Sequence, residues 1–128
     1  MNGRVLVVDD ETALLPLLAR YLRTLELETV CVSGVREADD AFHAAEPAFE
    51  YLICDLTLPD GTGDELAARL LAEAPRLRAL LMSGYPYSVD QLPEAVRDRA
   101  AFMAKPFLPS NLREIFERWR SAPADLSG

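Results

Sequence analysis

Five short apolar runs recur along the chain, and a stretch whose apolar residues return every three to four positions follows each of the first three and the last. The runs occupy positions 4–8, 29–32, 49–54, 77–82 and 101–104. Short runs without polar alternation are typical of strands buried on both faces, whereas the longer periodic stretches are typical of amphipathic helices. This alternation predicts a parallel sheet that is covered by helices on both faces.

The predicted fold is a single-domain, doubly wound α/β structure. Its five parallel strands are expected in the order 2-1-3-4-5, the flavodoxin-like arrangement, with about five helices. A chain of 128 residues forms one domain of this kind and buries about two-thirds of its unfolded surface. We place the domain at 1–120 and a frayed C-terminal tail at 121–128.

Local signals predict where the helices begin. The first helix is expected to be about 13 residues long, with an acidic first turn, and to be loosened by Pro16. Thr62 and Glu65 have the spacing of a capping box that opens the third helix. Asn111, with Glu114 three positions later, is expected to cap the last helix, and Trp119 to pack it against the core.

The stretch at 85–100 has two interpretations. Ser88 and Gln91 have the spacing that caps a helix, but Pro93 would then lie inside it. A helix that begins with Pro93 at its first position is the alternative.

Composition restricts the partners. Thirteen basic and 21 acidic residues give a net charge of −8, which disfavours direct binding to nucleic acid or to an anionic membrane and favours a protein partner. No apolar run approaches the 18 or so residues of a membrane span, and no leader follows Met1, so we expect a soluble, cytoplasmic protein.

Cys31 and Cys54 lie in strand-like runs and are expected to be buried thiols without a disulfide. His43 is expected to be an ordinary surface-helix residue.

Five polar residues stand at or just past the ends of four predicted strands. They are Asp9, Asp10, Asp55, Ser83 and Lys105. The carboxyl ends of parallel strands meet at one edge of the sheet, where ligands bind in such folds, so we expect these side chains to converge. A carboxylate at the end of a buried strand is costly unless it has a function, which makes Asp55 the candidate reactive residue.

Three carboxylates about 5 Å apart repel one another by roughly 3 kcal/mol per pair. Lys105, the only lysine beside 12 arginines, supplies one positive charge. Mg²⁺ fits the remaining deficit, because it accepts carboxylate, carbonyl and water oxygens. Such a site suits a phosphoryl group, with Asp55 as the in-line nucleophile and Ser83 as a hydrogen-bond donor. The chain has no glycine-rich P-loop, so an activated phosphate on another molecule is the expected donor.

These residues form a pattern that resembles the receiver domain of two-component response regulators. The resemblance covers about residues 3–120. It is carried by the following motifs: Val5–Glu11, Asp55 with Pro59 and Gly63, Ser83-Gly84, and Phe102 with Lys105-Pro106-Phe107.

The resemblance implies that Asp55 accepts a phosphoryl group from a phosphohistidine on a sensor histidine kinase or histidine phosphotransfer protein. The implied Mg²⁺ ligands are Asp10, Asp55 and the main-chain carbonyl of Thr57, with Asp9 acting mainly through water. Lys105 would contact the phosphoryl oxygens, and its bond to Pro106 would be cis.

The implied switch consists of Ser83 moving toward the phosphate and Phe102 turning inward. Together they would reshape the surface of the fourth helix, fifth strand and fifth helix, where a downstream protein target would bind. Thr57 and Tyr85 occupy positions that tune phosphate hydrolysis in such domains. Pro93 departs from the pattern and predicts an altered fourth helix, so the usual dimer is not assumed.

Plainer interpretations remain for several of these residues. Asp9 and Asp10 could cap the first helix, Ser83 could only form a turn, and Phe102 could be a core residue. The alternative function is a receiver-shaped interaction domain that works without phosphorylation. A phosphatase with an aspartyl nucleophile is disfavoured, because Thr57 stands where such enzymes place a second aspartate. We therefore expect no enzyme beyond the domain's own phosphorylation and dephosphorylation.

Overall fold

The computed structural model describes residues 3–46 and 48–121. Its main sheet consists of five strands: Gly3–Val8 (β1), Leu27–Val32 (β2), Tyr51–Asp55 (β3), Arg78–Ser83 (β6) and Ala100–Ala104 (β7). Two short strands, Thr57–Leu58 (β4) and Gly61–Thr62 (β5), form a separate antiparallel hairpin. The α-helices of the described residues are Leu15–Thr24 (α1), Val35–Ala44 (α2), Gly63–Glu73 (α3) and Pro109–Ser121 (α4).

The main sheet has the strand order β2-β1-β3-β6-β7, and every neighbouring pair is parallel. Counted without the small hairpin, this is the predicted order 2-1-3-4-5. The fold prediction is therefore confirmed. The order reverses between β1 and β3, so the ends of these strands open a crevice at the edge of the sheet.

Two cores lie on opposite faces of the sheet. On one face, α1 and α4 cover the odd-numbered side chains of β1, and Phe116 is fully buried there beside Tyr51. On the other face, α2, α3 and the chain at 89–96 cover Leu6 and Leu52. Trp119 stacks on Tyr51 with ring centroids 5.7 Å apart, as expected for a residue that packs the last helix.

The starts of α1 and α4 differ from their predictions. Pro16 lies in the first turn of α1, where its missing N–H and fixed φ favour the helix, so the expected loosening was wrong. The helix is also shorter than predicted, and its first turn contains no acidic residue. Asn111 lies inside α4, where it is the third helical residue and not the N-cap. Its side chain accepts a hydrogen bond from the Leu108 N–H at 2.9 Å. The tail predicted for 121–128 lies, apart from Ser121, outside the described residues.

The predicted capping box of α3 was also wrong. Thr62 is the N-cap residue, but its side chain makes no capping hydrogen bond. The Glu65 N–H instead donates to Asp64 Oδ1 at 2.9 Å. Thr62 also pairs with Thr57 in the short hairpin before α3.

No α-helix forms between β6 and β7 among the described residues, so both predictions for this stretch were wrong. The chain makes two 3₁₀ turns, Val89–Gln91 and Arg97–Arg99. Ser88 does cap the first turn, since its Oγ accepts from the Asp90 N–H at 3.1 Å. Arg99 holds the second turn by donating to the main-chain oxygens of Leu71, Ala74 and Leu77 at 2.7–2.9 Å. A guanidinium thus satisfies the carbonyls at the end of α3.

Cys54 is buried as predicted, but Cys31 is exposed. Cys31 lies on β2, an edge strand of the sheet, and its side chain faces outward, so the prediction of a buried thiol was wrong there.

Glu26 adopts a φ of 64° in the turn before β2, a conformation that favours glycine. Across the described ranges, no helix has the length and apolar character needed to cross a membrane.

Candidate functional site

The residues that end the strands meet at one edge of the sheet. Asp9 follows β1 and is fully buried, and its N–H continues the strand pairing by donating to the Val32 carbonyl at 3.0 Å. Asp55 is the last residue of β3 and is 8% exposed, and Ser83 ends β6 at 2%. Lys105 follows β7, where its N–H donates to the Ser83 carbonyl at 2.8 Å.

Lys105 joins three carboxylates that are far apart in the sequence. Its Nζ donates to Asp55 Oδ2 at 2.9 Å, to Asp9 Oδ2 at 3.0 Å and to Glu11 Oε1 at 2.7 Å. An ammonium group has three N–H donors, so these contacts use all of them. The Lys105-Pro106 peptide bond is cis, as the resemblance implied.

Burial and charge act in opposite directions on this cluster. Burial raises the pKa of Asp9 above its ordinary value, although the Glu11 N–H and the Lys105 ammonium partly offset it. Burial alone would lower the pKa of Lys105, but hydrogen bonds to Glu11, Asp55 and Asp9 outweigh it and hold that pKa above the ordinary range. The lysine is therefore firmly cationic.

The cluster forms the floor of an open depression of about 400 Å³. The depression is lined by Asp10, Glu11, Asp55, Thr57, Ser83, Gly84, Tyr85 and Lys105. A larger hollow of about 700 Å³ lies on the opposite side of the molecule, between the end of α1 and the starts of β1 and β2. The larger hollow holds none of the strand-end carboxylates, so the smaller depression is the candidate site.

Oxygen donors suited to Mg²⁺ surround the depression. Ligand atoms of Asp9, Glu11 and Asp55 lie within 4.8 Å of one another, and Lys105 contacts all three. One ammonium against three carboxylates leaves the cluster with two negative charges, and Asp10 adds another at the rim. An acidic, oxygen-only donor set is what Mg²⁺ requires, so the residues present fit this ion.

The loop after Asp55 is held tightly to the site. The Thr57 N–H donates to Asp55 Oδ1 at 3.2 Å, and the Gly63 N–H donates to the Leu56 carbonyl at 2.8 Å. A side chain at Gly63 would collide with the main-chain oxygen of Asp55, so only glycine allows the loop to close this way. Thr57 is thereby fixed at the edge of the depression.

The two residues of the implied switch occupy different environments. Ser83 is buried, and its Oγ accepts a hydrogen bond from the Tyr85 N–H at 2.9 Å. Phe102 is half-buried on β7 and contacts the Tyr87 ring, with centroids 5.9 Å apart. The Tyr87 hydroxyl reaches Asp64 at 3.4 Å, and burial together with Asp64 raises the pKa of Tyr87 to about 12. The structure thus brings Asp9, Asp55, Ser83 and Lys105 together and leaves Phe102 outside the depression.

Glu11 is a site residue that sequence reasoning missed as a partner of Lys105. The sequence predicts an acidic first turn for the first helix, but α1 begins only at Leu15, which leaves Glu11 in a loop beside the site. The Glu11 N–H also donates to Asp9 Oδ1 at 2.9 Å. An acidic residue directly after two aspartates at a strand end was the available signal.

Comparison with known proteins places these features in context. The model of the response regulator receiver domain family matches residues 5–117. Response regulator protein PilR of Pseudomonas aeruginosa is 32% identical to this chain over 113 residues, which cover 88% of this chain and 25% of PilR. The chain spans about a quarter of the length of such curated relatives.

Solved structures share the fold. The non-phosphorylated receiver domain of HemR from Leptospira biflexa aligns with a TM-score of 0.79 at 26% identity, covering 94% of this chain and 96% of that domain. The response regulator TrrA of Thermotoga maritima, solved in complex with Mg²⁺-BeF, aligns with a TM-score of 0.78 at 24% identity. That alignment covers 91% of this chain and 98% of TrrA.

Proposed function

The chain belongs to the response regulator receiver domain family, and on that premise we propose that Asp55 accepts a phosphoryl group from a phosphohistidine. The donor would be a sensor histidine kinase or a histidine phosphotransfer protein, and the domain would span 1–120. Members of this family are signalling domains rather than classical enzymes. The proposed location is the cytoplasm, where such a donor is expected to present its phosphohistidine.

The contact between Lys105 and Asp55 is the observation that carries the proposal. The 2.9 Å hydrogen bond holds one carboxylate oxygen of Asp55 beside a cation, at the floor of an open depression. In the proposed transfer, an Asp55 oxygen forms the new O–P bond while the N–P bond of the phosphohistidine breaks, and the imidazole nitrogen keeps that electron pair. Lys105 then stabilises the charge on the phosphoryl oxygens.

Mg²⁺ would be held by Asp10, Asp55 and the main-chain carbonyl of Thr57, with Asp9 acting mainly through water. All but Asp9 line the depression, and Asp9 lies beneath it with its carboxylate engaged by Lys105 and the Glu11 N–H. When bound, the ion would neutralise charge on the phosphoryl oxygens. TrrA, which shares the fold, was solved in complex with Mg²⁺-BeF.

Ser83 and Phe102 are the proposed switch residues. Ser83 lines the depression, and its Oγ accepts from the Tyr85 N–H. Accepting this hydrogen bond leaves the hydroxyl proton able to donate to a phosphoryl oxygen. Phe102 packs against Tyr87, and a change in that contact would alter the surface at 84–99. A downstream protein would bind this surface. The surface differs from the one that the resemblance implied, because positions 84–99 form no α-helix.

Incubation with Mg²⁺ and a small acyl phosphate, followed by intact-protein mass spectrometry, tests the proposal. We expect one phosphoryl group per chain, stable in acid and labile in base, and none in Asp55→Asn. The domain's own hydrolysis should return the protein slowly to its starting mass. Bound Mg²⁺ without labelling would contradict the proposal and favour an interaction domain that works without phosphorylation. Rapid turnover of many equivalents would instead indicate a phosphatase.

A further inference from the structure

Asp60 connects the loop after the phosphoacceptor to a helix that lies 25 positions earlier. Its Oδ1 accepts from the Val35 N–H at 2.7 Å and its Oδ2 accepts from the Arg36 N–H at 3.0 Å. Both oxygens of one carboxylate therefore cap the first turn of α2. The N-cap residue of that helix is Gly34, which has no side chain to do so.

Two glycines allow the hairpin turn and the start of α2 to lie close together. A Cβ at Gly34 would lie 2.8 Å from Asp60 Oδ1, and a Cβ at Gly61 would lie 3.0 Å from Val35 Cγ2. The two hydrogen bonds from Val35 and Arg36 also lower the pKa of Asp60, so its carboxylate is ionised at neutral pH and favoured by the helix dipole. Asp60 thus contacts α2 through both carboxylate oxygens although its side chain is exposed.

Asp60 occupies the turn of the β4-β5 hairpin, three positions after Thr57. The hairpin pairs Thr57 with Thr62 and Leu58 with Gly61, so a displacement of the turn is transmitted to Thr57. The inner end of the loop is held by the Gly63–Leu56 hydrogen bond, and the outer end is held by Asp60. A carbonyl that binds Mg²⁺ must be placed accurately, because this ion demands near-ideal octahedral geometry.

We propose that Asp60 is a positioning residue that anchors the Mg²⁺-binding loop to α2 and thereby couples metal affinity to the stability of that helix. This inference rests on the proposed function, since it assumes that the Thr57 carbonyl is a metal ligand. Coupling between two sites is reciprocal. Loss of the anchor therefore weakens Mg²⁺ binding, and bound Mg²⁺ stabilises the first turn of α2.

Calorimetric titration with Mg²⁺ alone tests the first half. We expect Asp60→Ala to lower the affinity by about fivefold, the lower end of typical coupling between sites. Asp60→Asn keeps one acceptor oxygen and should lose less. Glu37→Ala is the matched control: Glu37 accepts from the Ser33 N–H and hydroxyl at the same helix start, and its hydrogen bonds described here do not reach the loop. The Mg²⁺ affinity of this variant should match that of the unsubstituted protein.

Hydrogen exchange at the Val35 and Arg36 amides tests the second half. Mg²⁺ should slow their exchange in the unsubstituted protein and leave it unchanged in Asp60→Ala. An unchanged Mg²⁺ affinity in Asp60→Ala, with faster exchange at these amides, would overturn the inference and reduce Asp60 to a helix cap. Equal losses of affinity in Asp60→Ala and Glu37→Ala would also overturn it. If the unsubstituted protein bound no Mg²⁺, both this inference and the proposed metal site would fail.

Discussion

Lys105 Nζ lies 2.7 Å from Glu11 Oε1, the shortest of its three contacts with carboxylates, although 94 positions separate the two residues. All three N–H donors of the ammonium are in use, so an incoming phosphoryl oxygen has to replace an existing partner. The Glu11 side chain is 62% exposed and that of Asp9 is fully buried. Glu11 is therefore the carboxylate that returns to water at the lowest cost.

The first prediction concerns Glu11→Gln. The substitution removes a negative charge beside the path of an anionic phosphodonor and replaces the ion pair of Lys105 with a weaker hydrogen bond to a neutral amide oxygen. A gain of about 1 kcal/mol from reduced repulsion corresponds to roughly a fivefold faster reaction with an acyl phosphate. The measurement is the initial rate of labelling. Glu117→Gln, an equal charge change on the exposed surface of α4, is the control, and a rate shared by both variants would refute the role of Glu11.

Lys105→Ala should separate metal binding from phosphorylation. Removal of the ammonium leaves the carboxylates more negative, so Mg²⁺ affinity should be retained or increased. Labelling with an acyl phosphate should fall by at least about tenfold, since one charge-assisted contact to the phosphoryl group is worth more than 1 kcal/mol. Lys105→Arg should not restore the rate, because a planar guanidinium does not reproduce a compact ammonium. Weakened Mg²⁺ binding in Lys105→Ala would contradict this separation.

Arg99 should be important for stability. Its guanidinium satisfies three carbonyls at and beyond the end of α3, and positions 84–99 form no α-helix that could cover them. Arg99→Ala is expected to reduce the free energy of unfolding by roughly 2 kcal/mol, measured by urea denaturation. Arg76→Ala, at an exposed position in the same region, serves as the control and should change stability by less than about 0.5 kcal/mol.

The single histidine provides a pH-dependent test away from the site. A hydrogen bond to Glu73 at 2.7 Å raises the pKa of His43 above its ordinary value of 6.5. The contribution of this pair to stability should be fully present below about pH 6.5 and should be lost as the pH rises through the folded-state pKa. NMR titration of the imidazole should show the raised pKa, and Glu73→Gln should lower it toward 6.5. Equal pKa values in the two proteins would contradict the pairing.

The sequence was sufficient for the elements that hydrophobic burial determines. The apolar runs ending at Val8 and Cys54 could form only buried strands, and their parallel order then placed Asp9 and Asp55 at one edge. The predicted ends of the strands were less accurate. Residues such as Leu27 and Asp55 extend β2 and β3 through backbone pairing, which the pattern of apolar side chains does not show.

The remaining errors involve contacts between residues distant in the sequence. In the stretch that contains Pro93, the buried Leu92 and Val96 have helical spacing, yet the chain makes two 3₁₀ turns there. Arg99 of the second turn reaches Leu71 of α3, 28 positions earlier, a contact that no local pattern predicts. The contact between Asp60 and Val35 spans 25 positions and has no local signature. The ion pair between Glu11 and Lys105 likewise joins residues that only the tertiary fold brings together.

Identification of the modified residue is the most direct test of Asp55 as the phosphoacceptor. After reaction with Mg²⁺ and an acyl phosphate, borohydride reduction converts an aspartyl phosphate into homoserine, which peptide mass spectrometry can locate. We expect homoserine at position 55 and at no other position of the chain. Homoserine at position 9 or 10, or a phosphoryl group on His43, would contradict the proposed function.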